Sequence, residues 1–468
     1  MSRLKRLKSF FDDTIAAIST SLGQAGIGIV RLSGKDALAI ADKVFLSKEK
    51  TKPSQCKTYT IHYGWIADKD KEVIDEAILT IMRAPKSYTR EDVVEINCHS
   101  GIVPLRKIFE LVLKCGARPA EPGEFTRRAF INGRIDLVQA EAVLDIIQAK
   151  TEASLKLGLK QLQGRLSQKI EGLRSQLLDI LAHLEAAIDF PDEDIEIKER
   201  KRLQQSLESI SGEIKKILDC AFQGKVLREG IAVVICGKPN VGKSSLLNAL
   251  LKEDRAIVTH IPGTTKDTIE EFANIRGLPL KLIDTAGIDK PRDLIDKEAV
   301  KRSRLSITMA DLVLFVLDGS REISKEDRGI YRDIKDKRLI CLINKIDLKA
   351  RLNSAKLRRL SGARKVLGIS ALKGTGIKQL EQEIANTIWQ GHIGPTEDIF
   401  ISNLRHIDLL RHCRESIQKT RQAFKEHLSA EFISQELKGA LESLDKITGR
   451  VVFEDLLEKI FSEFCIGK

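Results

Sequence analysis

"REGIAVVICGKPNVGKSS", residues 228–245, is the stretch in which a helical hydrophobic pattern gives way to a short apolar run and then to a glycine-containing loop. Residues 237–244, GKPNVGKS, fit the phosphate-loop pattern GxxxxGK[ST] between a predicted strand and a predicted helix. In such a loop the backbone N–H groups close on phosphates, Lys243 reaches the outer phosphates, and the Ser244 hydroxyl binds Mg²⁺. The expected phosphate site comprises Asn240, Val241, Gly242, Lys243, Ser244 and Ser245.

Strand-sized apolar runs alternate with helical ones from this loop to about residue 388. The runs are IAVVICG, LKLIDTAG, LVLFVLDG, RLICLINKID and KVLGISA. Strands of this kind joined by crossover helices form a doubly wound sheet. The sequence therefore predicts a doubly wound α/β domain that carries the phosphate loop.

Three further motifs favour GTP over ATP. In DTAG (284–287), Asp284 is expected to bind Mg²⁺ through water and the Gly287 N–H to contact the γ-phosphate; in NKID (344–347), the Asp347 carboxylate accepts hydrogen bonds from guanine and Asn344 meets the far ring edge. SA (370–371) offers a backbone N–H to the guanine oxygen. Apart from these three motifs, PGTTKD supplies a switch threonine for Mg²⁺. These motifs add Thr265, Asp284, Thr285, Ala286, Gly287, Asn344, Lys345, Asp347, Ser370 and Ala371 to the predicted site.

The residue after DTAG is Ile288, where many regulatory GTPases have a glutamine that orients the attacking water. An isoleucine side chain cannot orient water. Phosphoryl transfer is accelerated mainly by positioned charge, so hydrolysis requires another side chain, an ion or a partner.

Outside this domain the periodicity predicts three other segments. Residues 12 to about 120 alternate strand and helix patterns, as in IGIVRLSG and PLRKIFELVLKCG, which indicates a small α/β or α+β domain with predicted bounds 1–126. Residues 127–226 and 389–468 have a long-helix pattern, interrupted at DFPDEDIE (189–196) by a predicted turn. The nucleotide domain, 227–388, is therefore predicted to be inserted into a helical domain.

Composition limits the classes of protein to consider. The chain of 468 residues has 78 Lys and Arg against 66 Asp and Glu, a formal net charge of +12, which suits a polyanionic partner. Its apolar runs are strand-sized and its basic N-terminus has no apolar signal core, so no membrane segment is expected and the prediction is a cytoplasmic protein. Eight cysteines without a CxxC pair argue against a zinc site and a disulfide framework.

The last residues, EFCIGK (463–468), follow a helical pattern and have three interpretations. The first is a buried cysteine on the last helical turn followed by a glycine stop. The second is a prenylation signal, which Gly467 and Lys468 fit poorly. The third is that the tail forms part of a binding site.

These motifs, together with AEPGEFTRRAFINGRIDLVQAEAVLDIIQAKTE, LEAAIDFPDEDIE and CIGK, resemble the MnmE (TrmE) family of tRNA-modification GTPases from Asp12 to Lys468. The resemblance implies an N-terminal α/β dimerisation and folate-binding domain, a helical domain and an inserted G domain. It also implies a homodimer that joins an MnmG-type flavoprotein, which carries FAD, in a heterotetramer. Together they would add a carboxymethylaminomethyl or aminomethyl group to carbon 5 of the wobble uridine of certain tRNAs, with formyl- or methylene-tetrahydrofolate as the one-carbon donor.

The resemblance also assigns roles to particular residues. K⁺, in place of an arginine finger, would be held by Asn240, Thr259, Ile261 and Thr264, of which Thr259 and Thr264 also line the GTP site. Asp296 stands where the family has a water-orienting glutamate; a shorter acid implies that its loop lies closer, that Glu298 takes part, or that hydrolysis is slow. The folate site would comprise Arg31, Glu95, Arg134 and Lys468, with Cys465 beside it in a redox, nucleophilic or packing role.

The alternative function is an RNA-binding GTPase switch that assists ribosome assembly, because such proteins share the nucleotide motifs. Assembly GTPases usually add a compact RNA-binding module. Here PGEFTRRAF, long helices and CIGK surround the nucleotide domain instead. The sequence therefore favours the tRNA-modification interpretation.

Overall fold

The computed structural model describes residues 12–189, 197–253, 270–284, 307–352, 365–389 and 401–468. The chain forms two compact units. The first unit comprises residues up to 144 together with 162–175 and 441–468, and the second comprises 145–161 and 176–440. Both units are therefore built from segments that are separate in the sequence.

The first unit contains a mixed sheet. Its strands are β1 Ile15–Ile18, β2 Ala25–Ser33, β3 Phe45–Ser47, β4 Thr60–Ala67, β5 Val73–Met82, β6 Val93–Ser100 and β7 Arg118–Pro119. They lie in the order β3-β4-β5-β6-β2-β1-β7, and neighbours are antiparallel except for β1 and β7. The strand period of two buries Val30 and Leu32 and turns Arg31 to the other face, where it pairs with Glu95 of β6.

Four helices follow in this part of the chain: α1 Ala37–Val44, α2 Ile102–Lys114, α3 Glu124–Ile131 and α4 Leu137–Gln148. Helices α1 and α2 pack on the buried face of the sheet, α2 through Leu105, Ile108 and Val112. The helical spacing of these residues places them on one side of α2. The strand and helix patterns predicted for residues 12–120 are therefore confirmed.

The second unit contains the nucleotide-type sheet. Its strands are β8 Ile231–Cys236, β9 Glu270–Ile275, β10 Leu278–Asp284, β11 Leu312–Asp318, β12 Leu339–Asn344 and β13 Val366–Gly368. The order is β13-β12-β11-β8-β10-β9, and all neighbours are parallel except β9 and β10. The five apolar runs predicted as strands are confirmed.

Strand β9 was not among the predicted strands. It forms a hairpin with β10 through Arg276 and Gly277, whose φ values are 54° and 84°. Two successive left-handed residues are typical of the tight hairpin turns that match strand twist. An antiparallel edge strand therefore completes an otherwise parallel sheet.

The remaining helices before residue 230 and after residue 403 confirm the long-helix pattern predicted on both sides of the nucleotide domain, and the three between them belong to that domain. They are α5 Glu152–Leu162, α6 Arg165–Asp189, α7 Ile197–Asp219, α8 Ala221–Glu229, α9 Lys243–Glu253, α10 Lys325–Ile334, α11 Ile377–Trp389, α12 Leu404–Lys425, α13 Ala430–Thr448 and α14 Glu454–Phe461. Helices α7 and α12 pack together, with an Arg421–Glu208 ion pair of 3.1 Å. The break predicted near Pro191 lies between α6 and α7, where residues 190–196 are outside the described residues.

A separate apolar cluster in the first unit joins α3, α4 and α14. Phe130, Leu137, Leu457 and Phe461 are buried in it. Helix α14 ends at Phe461, so Cys465 is not on a helical turn as the first interpretation of the tail required. Among the described helices, none is both long and apolar enough to cross a membrane.

Candidate functional site

The phosphate loop, residues 237–244, connects β8 to α9 at the carboxyl edge of the second unit's sheet. Gly237 and Gly242 have φ values of 153° and 98°. A Cβ at Gly237 would lie 2.3 Å from the Val316 carbonyl oxygen, and one at Gly242 would lie 2.2 Å from Asn344 Nδ2. Only glycine therefore lets this loop approach the two neighbouring strands so closely.

Lys243 is buried, and its ammonium group is held inside the loop. Its Nζ donates to the carbonyl oxygens of Gly237 at 2.7 Å and Lys238 at 3.2 Å. Ser244 and Ser245, on the first turn of α9, are exposed, as is Asn240. The N-terminus of α9 and these side chains therefore form an accessible site with the donors that phosphate requires.

The base-recognition motifs meet this loop through Asn344. Its Nδ2 donates to the Val241 carbonyl at 2.8 Å, and its Oδ1 accepts a hydrogen bond from the Ala371 N–H at 3.0 Å. Asp347 is exposed and accepts a 2.6 Å hydrogen bond from Ser370 Oγ, which lowers the pKa of the Asp347 carboxyl. The structure thus brings the phosphate loop, NKID and SA together, with a carboxylate ionised at neutral pH.

Part of the predicted nucleotide site cannot be placed. Asp284 is the last residue of β10. Outside the described residues lie Thr259, Ile261, Thr264, Thr265, Thr285, Ala286, Gly287, Ile288 and Asp296.

The C-terminal CIGK segment sits in the first unit against β1, β2 and the start of α3. The Gly467 carbonyl accepts hydrogen bonds from Arg31 at 3.0 Å and Ser19 Oγ at 3.4 Å, and the Phe125 N–H donates to the Lys468 carbonyl at 3.2 Å. Gly467 has φ 94°, and a Cβ there would lie 2.9 Å from the Ile18 carbonyl oxygen. A glycine is therefore required for this docking.

Cys465 has its side chain exposed next to this docked segment. The interpretation as a buried cysteine is therefore wrong. Phe461 and Phe464, which precede Cys465, fill the apolar cluster, so the cysteine side chain is not buried in it. The thiol is left accessible to a reactant.

The predicted folate residues are partly brought together. Arg31 Nε and Glu95 Oε1 are 2.8 Å apart, and their side chains are 17% and 19% exposed. Arg31 also lies over the Phe125 ring at 5.6 Å from its centroid. Arg134 is exposed and stacks on the Tyr88 ring at 4.4 Å, and no contact among the described residues joins it to Arg31 or Glu95.

A charge cluster that the residue-by-residue prediction missed holds the start of α3; Arg128 and Glu124 are buried in it, and Asp13 and Arg118 are partly exposed. Arg128 is fully buried and pairs with Asp13 at 2.5 Å and Glu124 at 3.0 Å, while Arg118 pairs with the same two acids at 2.6 and 2.7 Å. Burial alone would raise the pKa of Glu124, but hydrogen bonds, led by Arg118, lower it. The cluster fixes Phe125, whose N–H binds the tail; its sequence signal was the acidic and basic residues within PGEFTRR.

Comparison with known proteins covers nearly the whole chain. A family model described as "GTP-binding protein TrmE N-terminus" matches residues 14–134, and one described as "MnmE helical domain" matches residues 137–465. The chain belongs to the MnmE family. The resemblance noted in the sequence is therefore confirmed, and so is the fold class.

MnmE-family relatives align over nearly their full length. The tRNA modification GTPase MnmE of Desulforamulus reducens is 49% identical over 98% of this chain and 100% of the relative. That of Alkaliphilus oremlandii is 47% identical over 98% of this chain and 100% of the relative. A solved structure, Aquifex aeolicus Era bound to GDP·AlF4⁻, is 30% identical, covers 39% of this chain and 65% of that chain, and has a TM-score of 0.29.

Proposed function

We propose that this chain is a potassium-activated GTPase that takes part in modifying carbon 5 of the wobble uridine in certain tRNAs. The observation that carries the proposal is the docked CIGK segment, which places Arg31, Glu95 and an exposed Cys465 in one region of the first unit. A GTPase switch alone has no use for such an accessible arrangement. Family membership supports a tRNA-modification GTPase.

GTP fits the described part of the nucleotide site. The phosphate loop supplies backbone N–H groups and Lys243, and Asp347 supplies an ionised carboxylate for the donor edge of guanine. Mg²⁺ would be bound by Ser244 and Thr265, and through water by Asp284. Ser244 is exposed on the first turn of α9, which suits this role.

For K⁺, the described residue is Asn240. Its exposed side chain stands at a φ of 62° on the rim of the phosphate loop, and its amide oxygen is a ligand type that alkali cations accept. We propose that it acts with Thr259, Ile261 and Thr264. Because Ile288 cannot orient water, hydrolysis requires another group or an ion. A cation held by these residues would supply positive charge beside the phosphates.

A tetrahydrofolate would be held by Arg31, Glu95, Arg134 and Lys468. Glu95 Oε1 is occupied by Arg31, but its Oε2 accepts no hydrogen bond from any described residue. That oxygen suits the amide-like donor edge of a pteridine, and the basic side chains suit the carboxylates of the folate tail. When bound, the folate supplies the one-carbon unit. The proposed partners are a second copy of the chain and an MnmG-type flavoprotein with FAD.

Assistance in ribosome assembly is less well supported. It would use the nucleotide domain but would not explain why Gly467 must dock on Ile18 and Arg31. No described feature favours it over tRNA modification.

The test is nucleoside mass spectrometry of tRNA from depleted cells that express the wild-type chain, Arg31→Gln, or the control Arg106→Gln. Arg106 is an exposed arginine of the same unit that pairs only with Glu110 among the described residues. We expect Arg31→Gln to lose the carbon-5 group and to keep GTP hydrolysis, because Arg31 lies in the other unit from the phosphate loop. An unchanged wobble uridine on depletion would instead direct attention to ribosome profiles.

A further inference from the structure

Two lysines anchor the phosphate loop, one from outside it and one within it, and each is paired with a carboxylate. Lys345, which follows β12, donates from Nζ to the Asn240 carbonyl at 2.7 Å and to Asp318 Oδ2 at 2.7 Å. Lys238, within the loop, pairs with Asp327 Oδ2 at 2.9 Å and donates to Ser324 Oγ at 2.9 Å. Both acids belong to the short segment between β11 and the first turn of α10, residues 318–327.

Asp318 is built into this position. Its side chain is 7% exposed, and its Oδ1 accepts hydrogen bonds from the Ser320 N–H at 2.9 Å and Ser320 Oγ at 2.6 Å. Burial would raise the pKa of Asp318, but hydrogen bonds from Lys345 and Ser320 outweigh it and lower the pKa. Each carboxylate oxygen therefore has a fixed partner, and one of those partners is the lysine that contacts the loop.

The backbone conformations explain why such support is needed. Asn240 and Lys345 both have left-handed φ values, 62° and 66°, which cost about 1–2 kcal/mol at a residue such as lysine and less at asparagine. Gly319 meets the same region closely, since a Cβ there would lie 2.9 Å from the Asn344 carbonyl oxygen. The hydrogen bond from Lys345 to the Asn240 carbonyl thus joins two residues with left-handed backbones. The Asp318–Gly319–Ser320 turn packs against the same region.

Asp327 supports the other side of the loop. It is buried, completes the N-terminal cap of α10 with Ser324, and its Oδ1 has no partner among the described residues. Its charge is balanced by Lys238 alone among described cations. The first turn of α10 is therefore tied to the second residue of the phosphate loop.

We propose that residues 318–327 are a buttress for the phosphate loop, in which Asp318 and Asp327 are positioning residues for guanine-nucleotide binding. Each carboxylate is paired with a lysine, which balances a negative charge that would otherwise repel phosphate near the loop. Asp318 acts through Lys345, which binds the Asn240 carbonyl. Asp327 acts through Lys238, which is itself a residue of the loop. The inference rests on the nucleotide binding in the proposed function and goes beyond the motif residues predicted from the sequence.

The experiment measures the dissociation rate of mant-GDP from the full-length chain by stopped flow. The variants are Asp318→Asn and Asp327→Asn, and the control is Glu326→Gln, an exposed acid on the same first turn of α10. Loss of an outer partner that orients a metal ligand typically costs roughly 10–100-fold in metal affinity, and we take the same scale for a partner that orients the phosphate loop. We therefore expect dissociation to accelerate about tenfold or more in both test variants, with a cooperative thermal transition retained, and not in the control.

A double-variant comparison separates positioning from general destabilisation. Lys345→Met alone should accelerate dissociation, and adding Asp318→Asn should change it by no more than about twofold, because the acid acts only through that lysine. Independent multiplication of the two effects would overturn the proposal. So would wild-type rates in Asp318→Asn and Asp327→Asn, or loss of the thermal transition in either variant, which would mean a structural role. Failure of the wild-type chain to bind mant-GDP would instead count against the proposed function.

Discussion

Replacing Gly467 by alanine should release the CIGK segment from the first unit. The new Cβ would lie 2.9 Å from both the Ile18 carbonyl oxygen and Ser19 Cα, so backbone atoms would have to move. The left-handed φ of 94° adds about 1–2 kcal/mol for a residue with a side chain. Loss of the hydrogen bond from Arg31 to the Gly467 carbonyl adds about 1.5–3 kcal/mol, as for other bonds to charged groups.

Either contribution is near or above the roughly 1.4 kcal/mol that changes an equilibrium tenfold, so the docked population should fall more than about tenfold. Gly116→Ala is a matched control, since Gly116 has φ 116° in the same unit but no atom within 4 Å of the point that its new Cβ would occupy. Hydrogen exchange reports docking, because the Phe125 N–H donates to Lys468 and should lose protection.

Nucleoside mass spectrometry should then show loss of the carbon-5 group in Gly467→Ala, with GTP hydrolysis retained. Both variants carry the cost of a side chain at a left-handed φ, but only Gly467→Ala also brings its new Cβ against backbone atoms. Equal protection at Phe125 and equal modification in the two variants would refute the docking argument.

Three further results are expected. Asp347→Asn removes the ionised carboxylate proposed as the acceptor for guanine and should weaken GTP binding by roughly 10–100-fold in calorimetry, the range for a charged hydrogen bond. Hydrolysis should be faster in KCl than in NaCl and lose that difference in Asn240→Ala; equal rates in both salts would contradict a cation at Asn240. Because the folded-state pKa of Glu124 is lowered, its contribution to stability exists above the ordinary value of 4.5 and is lost as pH falls through the folded-state pKa. Acid unfolding of the first unit should therefore be less steep in Glu124→Gln, which circular dichroism at descending pH would measure.

The strands that carry the nucleotide motifs could be predicted because each is short, apolar and followed by a recognisable loop. Ordered motifs such as NKID and SA also predict one another's positions, since the carboxyl ends of parallel strands meet at one sheet edge. The hydrogen bonds that Asn344 makes with Val241 and Ala371 join the motifs at that edge.

Features formed by distant residues could not be read in this way. The pairing of Arg128 with Asp13 joins positions far apart in the sequence, and neither residue stands in a local pattern that indicates its partner. Strand β9 carries acidic residues in EEFANI, which concealed its period, although Arg276–Gly277 is a turn signal. Cys465 is exposed because Phe461 and Phe464 fill the cluster. Helical spacing alone does not show which of these three residues is buried.

The segmented first unit sets an order of events during protein synthesis. Phe130 and Leu137 leave the ribosome long before Leu457 and Phe461, the residues that complete their cluster. At roughly 5–20 residues per second, translation of residues 145–440 leaves those apolar side chains without their packing partners for up to about a minute. During that interval the second unit can fold on the nascent chain, while the first must wait for its last segment and is the part most exposed to chaperones and proteases.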